Sequence, residues 1–502
     1  MNQNLLAPHV DALTCLLNTI NQLNWDSSVN MPASASEARG RQIGFLSGMA
    51  QDVLVSDALS RALSVMESSS DPYAIQTRET LENAIAHHRK IPKALLREQS
   101  ELVGVAQPAW IAARQKADFG LFLPHLEKIV DVKRRMADLI GYDAHPYEAL
   151  AHEYEPGIKV SFLNDFFERL KVRQQPLIRK VHAAERPRTD FLRRTFPAAK
   201  QREFIARLVK EIGYDFERGR LDLSTHPFEI SMTRDDVRIT TRFNENFINS
   251  GLFGGLHEAG HAIYEQNVSP TLSGTVHVLD LIGLYAVAGT SYGVHESQSR
   301  LWENQVGRTL GFWNNHYAQL QQAFPDALGD IDVQQFHRAI NASQPSLIRV
   351  EADELTYDMH VMLRVEIEMG LLDGSIQVKD LPALWAQKMS EYLGVTPPND
   401  SVGPLQDIHW CKGLFGSFPT YTLGNAMAAQ FMHTAKASDP AIAQGLQKAN
   451  YAPLKNWLTT HVHQYGRIYT PSQLMERSTG SVLRVDYYLD YLEEKYTSLY
   501  HL

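Results

Sequence analysis

Within the run Gly255-Leu256-His257-Glu258-Ala259-Gly260-His261-Ala262-Ile263-Tyr264-Glu265, two histidines stand four residues apart with a glutamate beside the first. On a helix, positions i and i+4 share one face a turn apart, so both imidazoles can reach a single metal ion. Glu258 would then face a water on that ion and act as general base of a hydrolase. The alternative is two histidines on a half-buried helix, each hydrogen-bonded to an ordinary neighbour. Leu256, Ala259, Ala262 and Ile263 surround them with apolar side chains. A helix of that kind is buried, and its imidazoles need partners that a metal, zinc first of all, would supply.

Catalytic zinc takes three protein ligands and leaves a fourth position for water. Downstream of the motif the candidates for the third ligand are His277, Asp280, His295, Glu296 and Glu303. Segment 291–303 reads as a helix entered after Gly293, with Glu296 facing inward from its first turn and Arg300 and Glu303 on nearby faces. The residues alone leave His295 and Glu296 open. A carboxylate at a helix start is also commonplace, because it complements the helix dipole.

The elements that must hold these residues are helical. Pro124 to Ile140 is representative, with Leu126, Ile129, Val130, Met136, Ala137 and Ile140 on one face and Gly141 placed to stop it. Similar amphipathic runs cover about 36–66, 74–90, 160–185, 198–213, 301–322, 351–370, 380–393, 423–436 and 481–498. No fixed-period repeat, low-complexity segment or Gly/Ser/Pro-rich linker divides the chain, so residues 1–502 read as one helical domain. The exception is 226–243, where two alternating, β-branched stretches flank Thr233-Arg234-Asp235-Asp236 as in a hairpin. An edge strand there could pair with an extended peptide.

Composition narrows the class. A net charge of −9 over 502 residues argues against nucleic acid or an anionic membrane as the main partner. Cys15 and Cys411 form no disulfide framework and no Cys-x-x-Cys pattern. The start of the chain shows no basic region followed by an apolar core and a cleavage site, and no run reaches 18 apolar residues. A soluble protein of a reducing, cytoplasmic setting is expected.

Six ordered motifs add a resemblance. They are His226-Pro227-Phe228, Asp236-Val237-Arg238-Ile239-Thr240, His257-Glu258-Ala259-Gly260-His261, His295-Glu296-Ser297-Gln298, Ile348-Arg349-Val350-Glu351-Ala352-Asp353, and Gly403-Pro404-Leu405-Gln406-Asp407-Ile408-His409-Trp410. An early Trp25-Asp26 followed by Met31-Pro32 extends the match towards the N-terminus. The chain resembles the carboxypeptidase Taq family of zinc metallocarboxypeptidases over nearly its whole length. That resemblance implies a mainly α fold, a single large helical domain with a central cleft and a small β-hairpin or sheet beside the zinc site. It also implies a homodimer, peptide substrates with a free C-terminus, and one zinc per chain held by His257, His261 and Glu296, with Glu258 catalytic. Cobalt or manganese could occupy the same ligands.

Further roles follow from the resemblance and from side-chain chemistry together. Removing only the last residue requires recognition of a free α-carboxylate, which the planar fork of arginine suits. Arg349, read as opening a helix, is the implied anchor, helped by Gln406 and His409. Arg238 is the other candidate and would limit substrate reach, and His226 belongs to the same substrate-binding set. Tyr421 and His409 are candidate donors to the tetrahedral oxyanion. Asp353 or Glu354, one turn past Arg349, would support a ligand histidine. Two departures from the family pattern stand out: a longer interval before Glu296, placed within 267–285, and Ser417 where relatives carry an aromatic. An endo-acting zinc oligopeptidase and a non-catalytic helical binding protein are the competing readings. The intact Glu258 argues against the latter.

Overall fold

The structure, a computed structural model, describes residues 3–65 and 71–502. Met1, Asn2 and the last residue of the expected run 36–66, Met66, lie outside the described residues. The chain is mainly α, as expected. It falls into two compact units, one built from 1–89, 187–340 and 427–483, the other from 90–186, 341–426 and 484–502.

In the first unit β1 (Leu221–Leu223), β2 (Glu229–Thr233) and β3 (Asp236–Thr241) form a sheet of order β1-β3-β2. β2 and β3 are the expected hairpin, antiparallel with Ser231 opposite Val237. β1 pairs parallel with β3, Leu221 opposite Ile239, and is too short for alternation to announce it. Helix Ile248–Gln266 packs on β3 and on helix Ala198–Glu211. It is buried on nearly every side, which is why its sequence is apolar all round rather than striped.

Helix Tyr292–Arg300 begins ahead of the expected entry after Gly293, because Ser291 caps it by accepting the Val294 N–H at 3.0 Å. It runs on into a π-helical turn, Leu301–Val306. The expected single run 301–322 breaks there, and helix Leu310–Ala323 restarts where Thr309 caps the Phe312 N–H. The run 36–66 divides for the same reason. Ser56 accepts the Leu59 N–H and starts a separate helix, Asp57–Ser64, after helix Ser36–Leu54. Periodicity carries across such caps without registering them.

Segment 267–285, expected as a loop, contributes several residues to the core. Val276, Leu279 and Leu281 pack with Leu13 and Leu17 of helix Gln3–Val29 and Leu81 of helix Pro72–Lys90. His277 sits in that core, fully buried, with Nε2 3.2 Å from Thr77 Oγ1 and its ring edge-on to Tyr73. Asp280 accepts the N–H groups of Ile282 and Gly283 in the turn between β4 (Leu279–Asp280) and β5 (Tyr285–Ala286). Neither is placed to bind a metal, and both candidacies are withdrawn.

In the second unit helix Tyr357–Asp373 is buried on nearly all faces. It carries polar groups that are satisfied in place. Asp358 accepts from Gln174, Asn425 and Tyr488, and Glu368 accepts from Tyr147, Trp410 and the Gly416 N–H. The helix starts later than the expected run 351–370. Arg349 opens only a single 3₁₀ turn, Arg349–Glu351, and Asp353 then accepts the N–H groups of Leu355 and Thr356.

Burial holds His277 down to about 4, against a small opposing effect from its backbone hydrogen bond with Arg467. A depressed histidine stabilises the fold fully above its unfolded value near 6.5, and that stabilisation disappears as pH falls towards the folded value. It amounts to up to about 3 kcal/mol. His277→Gln, which can keep the bond to Thr77, is therefore expected to flatten the loss of stability between pH 6.5 and 4. Urea midpoints of both proteins at several pH values check this, and parallel curves would refute it.

Candidate metal centre

Three atoms converge in the first unit: His257 Nε2, His261 Nε2 and Glu296 Oε2. Glu296 Oε2 lies 3.5 Å from the first nitrogen and 3.4 Å from the second. Among the described residues these three form a group with metal-ligand atoms all within 4.8 Å of one another. Two of them come from one helix face, as the i, i+4 spacing requires. The third comes from the helix that Ser291 caps, while the neighbouring His295 turns its Nδ1 to His261 Nδ1.

Glycine makes this meeting possible. A Cβ on Gly260 would stand 2.5 Å from the Gln298 carbonyl oxygen and 2.6 Å from Ser299 Cα. The two helices touch backbone to backbone there, and no side chain larger than hydrogen fits.

Each ligand is held from behind. His257 Nδ1–H donates to Glu303 Oε2 at 2.9 Å, leaving Nε2 as the free lone pair. Arg300 lies between the two carboxylates, with Nε on Glu296 Oε1 at 2.7 Å and a terminal nitrogen on Glu303 Oε2 at 3.2 Å. Arg308 holds Glu303 Oε1 at 3.2 Å. Glu303 lies on the π-helical turn, one of the local distortions that re-aim side chains at functional sites. His261 Nδ1 is 2.6 Å from His295 Nδ1, and His295 Nε2 is 3.0 Å from Glu265 Oε1. If His261 offers Nε2 to a metal, its Nδ1 carries the proton and donates to His295. His295 then carries its own proton on Nε2 and donates to Glu265. Glu265 also accepts the Ala288 and Gly289 N–H groups and the Ser231 hydroxyl.

The electrostatics suit a cation. Burial alone would lower His257, but Glu296, Glu303 and Glu258 outweigh it and push it up to about 9. His261 is held down to about 3 by burial and by His295, so it is a neutral ligand at ordinary pH. Burial pushes Glu258 up to about 7, despite His257 pulling the other way. A carboxylate poised there can both take and return a proton. The neutral His261, a His257 whose proton a cation would displace, and one carboxylate, each oriented by a further hydrogen bond, form the donor set of a catalytic divalent metal.

The other expected site residues lie as follows. Arg238 on β3 is paired through both sides of its fork with Asp236 at 2.8 Å and stacks on Trp25. His226 is exposed between β1 and β2. In the second unit Arg349 is nearly buried, donating to Asp407 Oδ1 at 3.1 and 2.9 Å and to the Tyr357 hydroxyl at 2.9 Å. Gln406 accepts the Arg349 N–H at 2.9 Å and donates to the Leu347 carbonyl at 3.0 Å, so its amide fixes main chain around Arg349. The two proposed oxyanion donors are bonded to each other, with His409 Nε2 3.2 Å from the Tyr421 hydroxyl. Ser417 is buried, its hydroxyl on the Leu414 carbonyl.

One expectation needs correction. Asp353 and Glu354 do not support a ligand histidine. Asp353 caps its own turn, and Glu354 accepts from Tyr491 and Lys495. The carboxylate on His257 is Glu303, which the sequence offered only as a rival ligand. Glu265 was missed altogether, although its place four residues after His261 put it on the same helix face.

A mainly helical fold bearing His-Glu-x-x-His and a downstream glutamate defines a metallopeptidase. The model of the carboxypeptidase Taq (M32) metallopeptidase family matches residues 6–496. Carboxypeptidase 1 of Bacillus subtilis is 41% identical over 484 residues, covering 96% of this chain and 95% of that protein. Thermostable carboxypeptidase 1 of Thermus thermophilus is 39% identical over 492 residues, 95% of this chain and 94% of that one. The crystal structure of an M32 carboxypeptidase from Deinococcus radiodurans superposes with a TM-score of 0.96 at 37% identity, covering 100% of both chains. The chain therefore belongs to the carboxypeptidase Taq (M32) family and is a metallocarboxypeptidase with a divalent-metal site.

Because Glu303 fixes the tautomer and orientation of His257, Glu303→Gln is expected to weaken metal affinity by about 10- to 100-fold while leaving the three ligands in place. Metal titration against a competing chelator measures it, and an unchanged affinity would contradict the role given to Glu303.

Proposed function

We propose that the chain, acting as one catalytic domain over 1–502, is a zinc-dependent exopeptidase that releases single C-terminal amino acids from peptides. The observation that carries this reading is the convergence of His257 Nε2, His261 Nε2 and Glu296 Oε2 next to the buried Glu258. Held by these ligands, zinc would supply Lewis acidity at the scissile carbonyl and lower the pKa of the attacking water. Glu258 takes the proton from the attacking water and delivers it to the leaving amine. Tyr421, supported by His409, donates to the oxyanion.

Recognition of the free α-carboxylate falls to Arg349, whose guanidinium is preset by Asp407, Tyr357 and the backbone-fixing Gln406. Arg238 and His226 serve the substrate from the sheet side, an assignment resting on the family motifs. The family resemblance also supports a homodimer. The two free thiols, Cys15 exposed and Cys411 buried, accord with a reducing cytoplasmic setting.

A peptide with a free carboxylate and its C-terminally amidated twin separate end-trimming from internal cleavage. Stepwise loss of single residues from the free peptide only, abolished by chelator and restored by zinc, is the expected result. Equal internal cleavage of both would replace this reading with an oligopeptidase. Glu258→Gln is expected to retain the metal yet lose turnover by about 10²-fold or more, and metal content with kcat on one preparation tests both halves.

A further inference from the structure

The second unit buries two guanidinium groups on one carboxylate. Arg349 holds Asp407 Oδ1 through Nε and a terminal nitrogen, while Arg364 Nε holds Asp407 Oδ2 at 2.6 Å. Arg364 is fully buried, lies over Trp385 with its guanidinium carbon 4.6 Å from the ring centre, and donates to the His360 carbonyl. The nearby histidines add no charge, since burial holds His409 down to about 3 and also lowers His360. The buried Glu368 carboxyl, one turn further along the helix, also feels Arg364, but its oxygens are bonded to Tyr147, Trp410 and the Gly416 N–H. Asp407 is therefore the one carboxylate that both guanidinium groups bond directly.

This arrangement resolves a difficulty with Arg349 as a carboxylate anchor. A buried Arg–Asp pair is neutral, and it offers an incoming carboxylate little to offset the loss of water from that carboxylate. Asp407 alone would spend Arg349 on an internal ion pair. Arg364 takes the second oxygen of Asp407, so the cluster keeps a surplus positive charge and Arg349 stays geometrically fixed. We propose that Arg364 is a positioning residue of the peptidase: through Asp407 it aligns Arg349 and leaves it electropositive, so that the terminal carboxylate of the peptide completes the charge balance of the Arg349–Asp407–Arg364 cluster. The inference rests on the reading of Arg349 as the carboxylate anchor and adds to it a residue outside every motif found in the sequence.

The test uses the metal-loaded enzyme and a probe pair without a peptide bond, 3-phenylpropanoate and 3-phenylpropanamide, as competitive inhibitors. The wild-type enzyme is expected to prefer the acid, and Arg364→Met to lose about tenfold or more of that preference. In the same variant KM for a free-carboxylate peptide should rise by about the same factor, with kcat changed by less than about threefold. A purely structural role would instead lower kcat or stability and leave the acid-to-amide ratio alone, overturning the proposal. Arg364→Lys, which can keep a cation beside Asp407 but not the guanidinium fork, should hold the ratio clearly above that of Arg349→Met. It also decides the matter if Arg364→Met does not fold, because a ratio as low as that of Arg349→Met would refute the charge-sharing account. Arg349→Met separates the two claims. If it keeps the acid preference, the anchor reading itself fails; if it loses the preference while Arg364→Met keeps it, only the role of Arg364 falls.

Discussion

The metal centre depends on one close approach, the backbone contact at Gly260 between helix Ile248–Gln266 and helix Tyr292–Arg300. His257 and His261 are set one turn apart by the helix itself, but Glu296 reaches them only if the second helix comes within backbone distance. The glycine inside the motif, at a position where helix propensity disfavours it by about 1 kcal/mol relative to alanine, is the means of that approach. The apolar surroundings of helix Ile248–Gln266 then do two things at once. They hold the helix in place, and they strip water from Glu258, which raises its affinity for a proton.

Behind the ligands, Glu303 and Glu265 are each held by several defined partners. Glu303 is held down to about 2: burial would raise it, but Arg300, His257 and Arg308 together more than offset that. Glu265 ends the His261–His295 line among two backbone N–H groups and a serine hydroxyl. Such networks contribute little net stability, and their service is orientation. The second unit uses the same device around Asp407, with arginines in place of histidines.

How much of this the sequence discloses follows from the range of each interaction. The i, i+4 histidines, many of the amphipathic helices and the β2–β3 hairpin are local and were legible, although the helices Gln3–Val29 and Lys93–Lys116 were not among the expected runs. Ser56, Ser291 and Thr309 begin helices inside or beside runs whose periodicity is unbroken, so the boundaries were misplaced. Arg349 likewise reads as a helix start, though Asp353 delays the helix to Tyr357 by capping a separate turn. Glu303 stayed among the candidate ligands, because the π-helical turn that places it behind His257 leaves no mark on a 3.6-residue pattern. His277, a chemically plausible ligand, is claimed by packing against Thr77 and Tyr73, two residues 200 or more positions away in the chain.

Arg364 and Asp407 show the limit most clearly. Asp407 sits within a motif and Arg364 in the middle of a helix whose apolar neighbours predict only core. A lone arginine at such a position would be costly, since a buried guanidinium without a partner is far less stable than in water. It becomes tolerable once Asp407 accepts from it, yet Asp407 is shared with Arg349, so the core retains more positive charge than it neutralises. Folding for stability alone has no use for that surplus, because replacing buried ions with apolar groups is often neutral or stabilising. The surplus makes physical sense when a further carboxylate arrives from outside, as the end of a peptide chain does at every turnover of a carboxypeptidase.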